Sequence, residues 1–250
     1  MDHPAYRLAV DVCKATSDKL QGPVAQHFTN IISQHRPDDD SDDELDDIKA
    51  SHDLVIQLHR SVPALLNAVV PQLGEELGVD NEQMRILATR TLGSMFAFEP
   101  NVAAKYPATW KSWITRSRDK SANVRVTFVE QLCSLLSKHN SLSAEVERKP
   151  QFRPIQVISP PARLTNLITE ALEAKMVDGD DKVRVAVCKV YAHLDYEAAL
   201  HYVSTRHLKQ LADRMVDTKV WLNFVESLRA CSVVVYYPAC CEERSIHCCW

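Results

Sequence analysis

Glycine is scarce in this chain of 250 residues: there are only 5. Neither G-x-G-x-x-G nor G-x-x-x-x-G-K-[ST] occurs, and the scarcity disfavours a glycine-rich phosphate loop. The same scarcity argues against a β-sandwich or barrel, which needs many tight turns. Long apolar runs are missing too. The longest uncharged apolar stretches, near 61–74 and 230–241, fall well short of the ~20 residues a membrane span requires. No apolar segment of signal-peptide type opens the chain, which predicts a reducing compartment and free thiols for its 8 cysteines. Five of the cysteines crowd into the last 20 residues. What is present is globular: 46% apolar and 25% charged residues, enough to bury a core.

The formal net charge of −4 hides an asymmetry. Residues 38–47, DDDSDDELDD, hold eight acids and no base, and setting them aside leaves 25 acids against 29 bases. The remainder is mildly basic without a cationic block, so direct nucleic-acid binding is allowed but not indicated. The acidic run follows Pro37 and reads as part of a solvated loop over 36–47, because packed like charges repel. Upstream, apolar residues recur at helical steps from Tyr6 to Ser33, with a break expected at Gly22-Pro23.

Internal self-similarity carries more information. The segments EQMRILATRTLGSMF (82–96), ANVRVTFVEQLCSLL (122–136) and DKVRVAVCKVYAHLD (181–195) align without gaps. Each places Arg between two apolar residues at the start of a helical stripe: Met84-Arg85-Ile86, Val124-Arg125-Val126 and Val183-Arg184-Val185. A further helix precedes each one, over 63–77, 108–118 and 164–177. The first two arginines lie 40 residues apart and the next two 59, an excess of 19. Glu147–Arg163, with four prolines, accounts for the excess as an insert through which no helix can run. Paired helices at about 40 residues are the signature of an all-α, HEAT/armadillo-type α-solenoid of antiparallel helix pairs.

An acid in the turn of each helix pair supports the same reading. Asp119 stands six residues before Arg125, and Asp178 six before Arg184; in the first unit Asp80 is only five before Arg85. These four, Asp119, Arg125, Asp178 and Arg184, are the expected structural ladder, with the acid and base within ~6 Å of one another and worth ~0–1 kcal/mol per pair if exposed.

The strings AYRLAVDVCKATSDKLQGPVAQHFTNII (5–32), PALLNAVVPQLGEEL (63–77), MRILATRTLGSMF (84–96) and YPATWKSWITRSRDKSANVRVTFVEQL (106–132) resemble the family of the cohesin-associated precocious dissociation of sisters protein five. The resemblance runs on through 178–191 and 207–219 and covers residues 1–219 as a solenoid, less the acidic loop and the insert. It implies an amino-terminal portion of a longer solenoid, in the nucleus, without enzymatic activity. As partners it implies the kleisin subunit of cohesin, the wings-apart-like releasing factor and, indirectly, chromatin, with roles in sister-chromatid cohesion and DNA repair. Residues 220–250 match nothing in the family, and their clustered cysteines resemble translated intron or a frame-shifted end.

The residues themselves offer no catalytic, cofactor-binding or metal constellation, and no cofactor is expected. Ten histidines are scattered without H-E-x-x-H, and the terminal Cys240, Cys241, His247, Cys248 and Cys249 lack C-x₂₋₄-C spacing. Neither a membrane nor a small-molecule substrate is indicated. Trp110 and Trp113 fall on one helix side and read as packing residues. Arg116, Arg118 and Lys120 follow them, the one candidate partner-binding surface. A generic HEAT adaptor, of the transport or phosphatase-scaffold kind, explains the repeats as well but not the longer strings.

Overall fold

A computed structural model describes residues 4–34, 42–99, 101–147, 162–194, 199, 203–214 and 216–217. Among them there are helices and turns and no strand. The order is α1 (Pro4–Ala15), α2 (Ser17–Gln34), α3 (Asp42–Ser61), a 3₁₀ turn (Pro63–Leu66), α4 (Val69–Glu76), α5 (Glu82–Phe98), α6 (Asn101–Lys105), α7 (Pro107–Thr115) running into a 3₁₀ turn (Arg116–Arg118), α8 (Ala122–Glu147), α9 (Ala162–Met176), α10 (Asp181–His193) and α11 (Thr205–Arg214). Three helix pairs, α4/α5, α7/α8 and α9/α10, repeat the aligned segments of the sequence, and their second helices α5, α8 and α10 stack on one another in turn.

Local chemistry sets these boundaries. The side chain of Asn81 accepts the Met84 N–H at 3.1 Å and caps α5, Ser121 Oγ accepts from Asn123 N at 3.1 Å before α8, and Asp180 accepts from Lys182 N at 2.9 Å before α10. Pro63 and Pro107 open their helical turns where a missing N–H costs nothing.

Two expectations are corrected. The chain breaks at Thr16, whose hydroxyl donates to Val12 O at 2.7 Å, and α2 runs unbroken through Gly22-Pro23. Pro23 is exposed, so the carbonyl it leaves without an intrahelical partner faces water. The acidic run is not a loop throughout: residues 42–47 form the start of α3, where the positive end of the helix dipole favours carboxylates. Residues 36–41 lie outside the described residues, as do 148–161 of the insert, whose outer residues Glu147, Ala162 and Arg163 are helical. The tail 220–250 also lies outside them.

One continuous core passes through the stack, from Phe28 and Val55 through Leu73, Leu92 and Leu132 to Leu172 and Val187. Its densest part is aromatic. Trp113 is fully buried, donates Nε1–H to Thr89 O at 2.9 Å, stacks on Trp110 at 5.2 Å and meets Phe128 at 4.7 Å. Phe96 stands edge-on to both tryptophans, at 4.9 and 5.5 Å. The two tryptophans therefore weld α7 to α5 and α8 and offer no stacking platform to bases. Cys13, Cys133 and Cys188 form no disulfide among the described residues, and burial pushes the Cys188 thiol up to about 11.

Helices α5 and α8 come close together at Gly93, where a Cβ would stand 2.5 Å from Gln131 Cβ and 2.6 Å from its Cγ. Gly93→Ala gains about 1 kcal/mol of helix propensity but overpacks a contact that neither backbone can yield cheaply. The expected net loss is about 1–3 kcal/mol in urea unfolding, at unchanged helical circular dichroism. A stabilised variant would show that the two helices can slide apart freely.

Candidate functional site: the arginine–aspartate ladder

The turns between paired helices all lie at the amino-terminal ends of α5, α8 and α10. At that edge each second helix presents its arginine, one turn in from the cap. The caps fix the turn, so the guanidinium reaches backward and forward at once. Backward, Nη1 donates into its own turn: Arg85 to Val79 O and Asp80 O (2.9 and 2.6 Å), Arg125 to Asp119 O and Lys120 O (2.9 and 3.4 Å), Arg184 to Asp178 O and Gly179 O (2.8 and 3.3 Å). Forward, Nε and Nη2 clamp the aspartate of the next turn. Arg85 holds Asp119 at 3.0 and 3.1 Å, Arg125 holds Asp178 at 3.1 and 2.9 Å, and Arg184 holds Asp217 at 3.0 and 2.7 Å. The separations in sequence are 34, 53 and 33, and the 53 becomes 34 once the 19-residue excess is removed.

Asp119 and Asp178 are further satisfied from their own turns. Asp119 also accepts from Arg116 Nη1 at 2.7 Å and from Ser121 N at 2.9 Å. Asp178 accepts from Lys175 Nζ at 2.8 Å and from Asp180 N at 3.1 Å. Burial pushes both carboxyl pKa values up, yet these donors outweigh it. Asp119 ends below the usual carboxylate range through Ser121 N–H, Arg85 and Arg116, and Asp178 falls to about 2 through Arg125, Lys175 and Asp180 N–H.

Arg125 and Asp178 are thus brought together, and so are Asp119 with Arg85 and Arg184 with Asp217. The link always runs from one repeat into the next. The ladder is not an exposed feature: the side chains of Arg85 and Asp119 are 3% and 2% exposed, so removing one partner strands a buried charge, unlike a surface salt bridge worth ~0–1 kcal/mol. The sequence reading passed over two rungs. Arg85 looked irregular because Asp80 is out of phase, but the groups it uses there are backbone carbonyls, which any residue supplies. Asp217 had no arginine after it. A basic residue three before each aspartate (Arg116, Lys175 and Arg214) marks all three turns in the sequence.

The candidate basic surface is largely spoken for. Arg116 serves the ladder, and Lys120 pairs with Asp80 at 3.2 Å in the exposed rim. Arg118 is exposed and has no charged partner among the described residues. Of the histidines, His52 is buried with Nδ1 3.0 Å from Thr91 Oγ1 and Nε2 3.4 Å from Glu76 Oε2, and His207 Nε2 lies 2.8 Å from Glu173 Oε1. His201 and the terminal cysteine cluster lie outside the described residues. No group of three metal-ligating side chains assembles among the described residues, and no helix among them is long and apolar enough to cross a membrane.

A ladder of this kind orders repeats without saying whose repeats they are; comparison with known proteins decides that. The family described as sister chromatid cohesion protein PDS5 matches residues 1–221. The chain belongs to the PDS5 family. It is 28% identical over 217 residues to sister chromatid cohesion protein pds5 of Schizosaccharomyces pombe, covering 87% of this chain and 16% of that protein. It is 23% identical over 228 residues to PDS5 of Saccharomyces cerevisiae, covering 85% of this chain and again 16% of the relative. The chain thus spans about a sixth of the length of the curated relatives it matches. A chain of the solved Pds5–Scc1 complex superposes with a TM-score of 0.68 at 20% identity, over 89% of this chain and 31% of that one, and shares its fold.

Two outcomes follow from the ladder. Arg85→Ala leaves Asp119 buried with part of its charge uncompensated and is expected to cost about 3–5 kcal/mol, against under about 0.5 kcal/mol for Lys120→Ala at the exposed rim. Urea unfolding of both variants checks this. Acid titration is the second. The folded-state pKa values of Asp119 and Asp178 lie below their unfolded ones, so their stabilisation is complete above about pH 4 and drains away as pH falls through Asp178's value of about 2. Asp178→Asn should flatten that acid limb of the stability curve, and an unchanged limb would remove the ladder from it.

Proposed function

We propose that this chain is a non-enzymatic scaffold that binds the kleisin subunit of cohesin, Scc1 or its counterpart, and acts in sister-chromatid cohesion in the nucleus. Membership of the PDS5 family carries the reading, and the shared fold with the Pds5 chain of the Pds5–Scc1 complex supports it. A stack of helix pairs locked in register suits this work. Stacked helix pairs of this kind generally curve, and the concave side can take an extended or helical partner segment without a closed pocket. The ladder's part is indirect: it fixes the angle between repeats and so the shape of the surface. The wings-apart-like releasing factor is the second partner that this reading carries, and chromatin is reached through cohesin and not through Arg116 and Lys120, whose charges are matched within the chain.

The test is calorimetric titration of the full chain with an amino-terminal kleisin fragment. We expect association without metal or nucleotide. Arg118→Glu should change affinity by no more than a few-fold, because a single rim charge contributes little to affinity. A chain that is folded by circular dichroism and shows no association with any kleisin fragment would overturn the reading.

A further inference from the structure

Three histidines are buried among the described residues, His52, His59 and His207, and each has Nε2 facing a glutamate, at 3.4, 3.8 and 2.8 Å. His207 differs in what its other ring nitrogen does. It stands at the third position of α11, and Ser204 is the residue before the helix, whose carbonyl accepts from Leu208 N at 3.1 Å. Ser204 Oγ accepts the His207 N–H at 3.3 Å, and His207 Nδ1 accepts the Ser204 N–H at 2.9 Å. This reciprocal pair is a capping box, Ser-x-x-His, with an imidazole where glutamate or glutamine is usual.

The bond from Ser204 N places the proton of the ring. A backbone amide can only donate, so Nδ1 carries no hydrogen, and the proton of the neutral imidazole is on Nε2, 2.8 Å from Glu173 Oε1. Ser204 Oγ, 3.0 Å from Nδ1, faces the same lone pair. A second proton on the ring reverses this. The hydroxyl can turn and accept the new Nδ1–H, but the Ser204 amide has no lone pair and loses its acceptor. The charge also arrives in the first turn of α11, where the helix dipole disfavours a cation.

The neighbouring groups do not undo this. Glu173 on α9 attracts an imidazolium, but it does so from the Nε2 side and cannot restore the bond that Ser204 N loses. On α10 the Tyr191 ring lies 5.9 Å from the imidazole, and burial and then the Glu173 charge push its hydroxyl up, so it stays un-ionised. On α11 itself Arg206 is exposed, with Nε 3.9 Å from Glu173 Oε1, and remains cationic throughout. A glutamine in place of His207 would accept from Ser204 N at any pH; an imidazole does so only while neutral.

We propose that His207 is a proton-operated latch on the last described helix: neutral, it caps α11 and holds its first turn against α9; protonated, it lets that turn go. The last rung of the ladder lies on the same segment, because Asp217, which holds Arg184, follows the end of α11 by three residues. The latch does not rest on the kleisin reading and stands or falls apart from it.

The test is amide hydrogen exchange of the full chain, read by nuclear magnetic resonance as protection factors, which remove the intrinsic pH dependence of exchange. Between about pH 7.5 and about pH 5.5, the range in which histidines change charge, protection of the amides at 207–211 is expected to fall about five-fold, the worth of a helix cap. Protection in α5 and α8 should hold. His207→Gln keeps an acceptor for Ser204 N and a donor toward Glu173 and gains no proton in this range, so its protection at 207–211 should stay level. Long-range proton–nitrogen correlation of the His207 ring should show a bare Nδ1 at the upper pH, and the loss of protection should follow the titration of that ring. Level protection in the unaltered chain overturns the proposal. So does an equal fall in His207→Gln, or a proton on Nδ1 at the upper pH. If His207→Gln fails to fold, the coincidence of ring titration and lost protection decides alone.

Discussion

A guanidinium that bonds its own turn with one nitrogen and the next turn with two others is the constraint on which the stack depends. Helices packed only by apolar side chains can rotate and slide over a range of angles, because dispersion and hydrophobic burial are non-directional. The planar fork of Arg85, Arg125 or Arg184 accepts a carboxylate in one orientation. Each such bond sets the position of one turn relative to its neighbour. Repeated three times, it sets the pitch of the solenoid.

The desolvation of so many charges needs compensation, and the sequence supplies it locally. Asp119 and Asp178 are each fed by a backbone N–H two residues on and by a basic side chain three residues back. A buried carboxylate with four donors is compatible with a dry edge, where one with a single donor is not. Removing one arginine is therefore more damaging than removing an exposed pair such as Lys120–Asp80. The aromatic block of Phe96, Trp110, Trp113 and Phe128 then packs the first two repeats together, and Gly93 lets α5 and α8 come close beside it.

The two edges of the stack divide the chemistry. At the ladder edge the three arginines and their aspartates spend their charges on one another. At the opposite edge Lys105 and Tyr106 tie two successive connections together through Asn67.

The sequence by itself determined the helical repeat, its period and the arginines of the ladder, because each is a local or strictly periodic property. The apolar-Arg-apolar start of α5, α8 and α10 recurs in the string itself, and the caps at Asn81, Ser121 and Asp180 follow from single residues. Tertiary structure alone decided which aspartate each arginine takes. Asp119 is nearer in sequence to Arg125, yet it clamps Arg85, since the side chain of Arg125 spends Nη1 on the turn carbonyls and points its remaining donors at the following repeat. Tertiary structure also drew Asp42–Asp47 into α3 and kept Pro23 inside α2. A helix whose far end is anchored by buried residues such as Val55 and Phe28 can carry acids at its start, or a proline on its exposed side. A cleft lined by His59, Asn67, Glu99, Lys105 and Tyr106 was beyond any reading of the string. Its walls are about forty residues apart, and only the stacking of two repeats brings them face to face.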